Sequence, residues 1–154
     1  MMAGGCAGSS SGALDITPEA SLVEMRELVE QTQVVTGGEW EVQDSQVADR
    51  CPEYGGEHAR QFLLERIGPV LEDPDATEVA LREVWGRAVL QVQRLERPTG
   101  VEFLAKGDGR ASVLMSSNPR ATGIRGLSAC FPESSWDPEE LYVTLPPVPP
   151  SPAP

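Results

Sequence analysis

Positive charge is what this chain has least of. Of its 154 residues 12 are Lys or Arg and 24 are Asp or Glu, a net charge of -12. Lys106 is the single lysine, and the arginines do not cluster. Such a chain gains nothing from counterion release on DNA or RNA, so nucleic acid is excluded as a partner. It also lacks the polybasic patch that would draw it to anionic lipid, so any membrane attachment needs another device. Asn and Ile are scarce as well, Asn118 being the one asparagine. That bias fits a GC-rich bacterial genome, such as those of actinobacteria.

Long apolar runs are also missing. None approaches the 18 or so residues of a membrane helix. No basic n-region followed by an apolar h-region precedes Cys6. As written the chain carries no working export signal, and we expect Met1 to be an internal residue of a longer signal peptide.

The motifs of catalysis are absent too: GxSxG, a Walker loop, HExxH and CxxC. His58, in GGEHARQ, is the one histidine. It reads as a surface or strand residue, and with no Cys/His cluster around it no metal site is expected. The glycine-rich KGDG and TGIRG are turns, since neither opens a helix to cradle a phosphate. DPEEL (137–141) lacks the alternating oxygens of a Ca²⁺ loop and reads as a solvated acidic turn. We therefore expect no enzyme, no metal and no cofactor.

What remains divides into three parts. Residues 1–15 are a Gly/Ala/Ser tether, 16–145 a single α+β domain, and 146–154 a Pro-rich tail of polyproline II character that ends the chain stiffly. In the domain, Thr17 caps a helix with Pro18 in its first turn, and Gly37-Gly38 stops it. Trp40 and Val42 alternate with Glu39, Glu41 and Gln43 as on a half-buried strand. GGEHARQFLLERIGPV fits a helix through Ala59, Phe62, Leu63 and Arg66 or a strand through Arg60, Phe62 and Leu64, and is taken as a second strand because glycines precede it and Gly68-Pro69 end it. Asp75 and Glu78 have capping-box spacing for a second helix. Its stripe of Leu81, Trp85, Ala88, Val92 and Leu95 runs on to Pro98. Val101–Ala105 and Arg110–Ser116 flank a hairpin turn at 106–109, and Asn118-Pro119 turns into a last strand over Gly123–Phe131.

The order is α-β-β-α-β-β-β. It predicts a two-layer sandwich, with two amphipathic helices on one face of an antiparallel sheet of about five strands. Trp85 and Trp40 belong to its core. Trp136, in ESSWDPEE, is the candidate for a surface contact, set against packing across the open end of the sandwich.

The cysteines number three, so one must stand apart. Cys51 and Cys130 either pair or pack as buried free thiols. A bridge between them would contribute roughly 4 kcal/mol by constraining the unfolded chain, and would persist only outside the reducing cytosol. We expect the bridge. Cys6 then stands alone, in MAGG-Cys-AGSSSG, which looks like a bacterial lipobox whose sulfur takes a diacylglyceryl group. Two acyl chains on one cysteine anchor stably. Position three before it is Ala3, where such motifs more often hold Leu, Val or Ile. The alternative is an incidental cysteine on the tail of a soluble cytosolic or phage-borne adaptor with reduced thiols.

From about Leu22 to Pro147 the chain resembles the LppA-like lipoproteins of mycobacteria and other actinobacteria. The resemblance rests on a helix before Glu39-Trp40-Glu41, on Cys51 soon after, and on a helix before a β-hairpin. Cys130 near the end of the last strand and the Pro-rich tail complete it. It implies a lipid-anchored α+β domain on the outer face of the cell membrane with one disulfide; our own expectation is a non-enzymatic module for an unknown envelope protein or small ligand. The binding surface or cleft would lie between sheet and helices.

Overall fold

Thr17 starts the first helix as expected. Its extended backbone lets Oγ1 accept from the Ala20 amide at 3.1 Å, and Pro18 fills the first helical position. Helix α1 runs Pro18–Thr36 and stops where Gly37 turns to φ 67°, a left-handed conformation that favours glycine. The computed structural model describes residues 16–137 apart from 46, 52–55, 89 and 108–109.

Among the described residues nine strands and a second helix follow: β1 Glu41–Val42, β2 Asp49–Cys51, β3 Gly56–Gln61, β4 Leu63–Gly68, α2 Pro74–Arg87, β5 Gln91–Arg97, β6 Gly100–Lys106, β7 Ser112–Ser117, β8 Thr122–Leu127 and β9 Phe131–Pro132. A 3₁₀ turn over Glu133–Ser135 comes last. One antiparallel sheet has six strands in the order β1-β4-β8-β7-β6-β5, and a smaller one has the order β2-β3-β9.

The α+β class holds, with two helices and a large antiparallel sheet; the strand count and the details of the layering are not fully matched. Where about five strands in one sheet were expected, there are six and three. The run from Gly56 to Gly68 is extended, but it changes partners at Phe62. There the Phe62 amide donates to Ser128 Oγ at 2.8 Å and the Ser128 amide to the Phe62 carbonyl at 2.9 Å. Before that point the chain pairs with β2 and β9, after it with β1 and β8. The last strand also divides, Cys130 falling between β8 and β9. Strands as short as β2 and β9 carry too few residues for a period to show.

Three local expectations are corrected. The second helix ends at Arg87, and Gln91–Arg97 is a strand. Val92 and Leu95 satisfy a helical stripe, but Gln91-Val92-Gln93 also alternates, and pairing along β6 from Gln91↔Lys106 to Arg97↔Gly100 settles it for strand. Pro98 therefore sits in a two-residue hairpin turn. The helix cap is Asp73, which accepts from the Ala76 amide at 3.1 Å, whereas Asp75 and Glu78 reach Arg94 at 2.7 and 2.8 Å. Val42 is 43% exposed. Trp40 lies outside β1, where it donates to the Gly37 carbonyl at 3.0 Å and covers Gly68.

In-register partners share a sheet face. Leu64, Arg66, Ile124, Met115, Val113, Phe103 and Ala105 lie on the face buried beneath Met25, Val29, Leu81 and Trp85 of the helices. Leu63, Leu95, Leu104, Leu114 and Leu127 share the other face and are half-buried.

Candidate functional site

The two helices are joined mid-seam by one hydrogen bond, from Trp85 Nε1 to Thr32 Oγ1 at 2.9 Å. Thr32 Oγ1 in turn donates to the Leu28 carbonyl at 2.8 Å, so the indole is held on a side chain that is itself fixed. On either side of this clasp the seam opens. Beside the C-terminal end of α1 the gap is about 200 Å³; beside its N-terminal half it is about 780 Å³. The larger lies within the range of small-molecule and peptide sites.

Its size follows from where α2 stops. Past Arg87 the chain leaves the helix, so among the described residues no second helix lies beside the first two turns of α1. The floor is made of short or apolar side chains: Ala20 and Val23 from α1, Val84 and Ala88 from the end of α2, and Leu90 and Ala111 from the connections just before β5 and β7. Val23 is 56% exposed. Glu19, Glu24 and Glu27 stand along the α1 rim, with Arg87 and Arg110 across from them. Both arginines are already engaged, Arg87 with Glu83 at 3.2 Å and Arg110 with Glu24 at 3.2 Å. Glu24 Oε1 is shielded from water and accepts no hydrogen bond from a described residue.

These rim residues were not singled out from the sequence, although a signal was present. Glu19, Val23 and Glu27 recur every four residues, one line along α1 beside the buried stripe of Leu22, Met25 and Val29. An apolar residue inside an acidic line is the pattern of a face left for something else.

The residues that were singled out are not brought together there. Cys6 lies outside the described residues, as do 138–141 of the acidic turn and the Pro-rich tail. Cys51 and Cys130 form a disulfide with Cα atoms 6.0 Å apart and a sequence separation of 79. The bridge ties β2 to the β8–β9 connection, with Ala59 buried beside it. His58 is exposed on β3. Trp136 is half-buried against the core, 5.7 Å beneath the Arg60 guanidinium. Arg60 also chelates Glu133 Oε2 through Nε and Nη2 at 3.1 and 2.6 Å, and those hydrogen bonds hold the Glu133 carboxyl below its usual range. Among the described residues no three His, Cys, Asp or Glu side chains group as a metal site, and no helix is long and apolar enough to cross a membrane.

With this geometry in hand, comparison with known proteins gives one kind of answer. No protein-family model matches the chain, and no curated protein does. Among solved structures, the crystal structure of the proposed lipoprotein LppA from Mycobacterium tuberculosis superposes with a TM-score of 0.54. The match covers 91% of this chain and 84% of that one, at 14% identity. The likeness is one of fold.

Proposed function

We propose that this chain is an LppA-like lipoprotein, held at the outer face of the cell membrane by acyl chains on Cys6. We read it as a non-enzymatic module that binds an envelope partner in the groove between α1 and α2. The observation that carries the reading is the Cys51–Cys130 bridge. A disulfide between two buried cysteines fits an oxidising compartment and leaves Cys6 as the odd thiol, in a setting that resembles a lipobox. The LppA-like fold points the same way. A groove with a short-chain apolar floor suits the holding of a ligand.

The test is an intact mass, with and without reductant, on protein expressed from its own locus and taken from the membrane fraction. The expected chain begins at Cys6, carries acyl mass and gains two hydrogens on reduction. A soluble, unlipidated chain with three free thiols would overturn the anchor and the compartment together.

A further inference from the structure

We infer that the occupant of the 780 Å³ groove is a basic, amphipathic segment of another protein, apolar along one side and carrying Lys or Arg along its flank. This deepens the reading of the chain as a binding module and rests on it. The floor of Ala20, Val23, Val84 and Ala88 offers small, shallow apolar positions, the kind of surface on which a helix lays a row of larger aliphatic side chains. The rim sets the sign. Of its five charged groups, Arg87 and Arg110 are paired with glutamates, which leaves Glu19 and Glu27 facing solvent on exposed turns of α1. A cationic flank pairs with both, and the chain's net charge of -12 draws such a partner in from a distance.

The same chemistry disfavours the two occupants nearest to hand. The segments on either side of the described domain, 1–15 and 138–154, contain no Lys, Arg or His. Neither can supply the flank, although the first joins the domain at Ile16, next to the groove. A second copy of the chain brings another -12 and is repelled.

The test uses the full chain and a fluorescein-labelled 14-residue peptide of leucine and lysine, with its leucines at helical spacing. A counterpart has every lysine replaced by glutamate. Anisotropy gives the affinity, and amide shifts in the labelled protein give the place. Glu19→Lys/Glu27→Lys reverses two rim charges, and Glu39→Lys/Asp49→Lys makes the same change of net charge on exposed residues outside the groove. Circular dichroism checks that both remain folded.

We expect the Leu/Lys peptide to shift the amides of Ala20, Val23, Val84 and Ala88. The rim pair should weaken it at least about tenfold and the distant pair less than about twofold. Equal weakening by both pairs would show bulk attraction and overturn the inference. So would an absence of binding, or binding of the Leu/Glu peptide as tightly. The mass measurement stands apart from all of these: a failed peptide leaves the anchor intact, and an unlipidated chain leaves the peptide result intact.

Discussion

Arg66 carries a full charge into the core with 1% of the residue exposed. It is held by Asp44 Oδ2 at 2.7 Å and Gln33 Oε1 at 3.1 Å, so a strand, a loop and a helix meet on one guanidinium. Taking such a pair out of water is expensive, and breaking it by removing one partner is worse than replacing both. Asp44→Ala should therefore destabilise the fold by about 3 kcal/mol, with Asp44→Leu/Arg66→Met closer to wild type; urea midpoints decide. Burial raises the Asp44 carboxyl above its ordinary 3.8, against the pull of Arg66. Because the folded state binds that proton more tightly than the unfolded state, the group's contribution falls as pH climbs from 3.8 through the raised value. Glu133 acts in the other direction, its contribution present above 4.5 and lost as pH falls through its lowered value. Asp44→Asn should remove the first slope and leave the second, which urea titrations between about pH 3 and about pH 6 would resolve. The burial of Arg66 was not read from the sequence, although as a strand residue it shares the phase of Phe62 and Leu64. Nor were its partners, because Gln33 and Asp44 meet it only through tertiary packing.

At the scale of elements, starts and stops were written locally and partner choices were not. Thr17-Pro18 and Gly37 stand where their chemistry put them, while 108–109 of the expected turn lie outside the described residues. The end of α2 did not show, because Val92 and Leu95 serve a helical stripe and a strand equally well until β6 is there to pair with. That one misread boundary hid the groove: a helix continuing to Leu95 would have covered the first turns of α1. Two glycines test the packing that results. Gly86, near the end of α2, has open space where a Cβ would be added, so Gly86→Ala should stabilise by about 0.5–1 kcal/mol, seen as a higher Tm. Gly126 on β8 is the opposite case. A Cβ there would overlap Met25 Sδ and stand 2.8 Å from Val29 Cγ2, so α1 would have to lift from the sheet. Gly126→Ala should cost about 1–3 kcal/mol, read as a lower urea midpoint with little change in helix content.

For the whole molecule, class and helix count were readable from the order of elements. The second sheet was not, because it is made of strands of three, six and two residues that exist only where the chain changes partners at Phe62 and where Cys51 meets Cys130. Reducing that bridge should lower stability by about 4 kcal/mol at neutral pH, measured as the shift in urea midpoint against Cys51→Ser/Cys130→Ser. The bridge also decides how the molecule responds to being pulled. Force entering at Ile16 passes through α1 and β1 to Cys51, crosses the sulfur bond and leaves at Cys130. The loop that the bridge closes, with β3 to β8 and α2 inside it, lies outside the tensioned path. Stretched by its ends, the oxidised protein should withhold about 270 Å of contour length that the reduced protein releases. A surface-tethered domain wired in this way would yield first at α1 and β1, and keep most of its sheet as a mechanical knot.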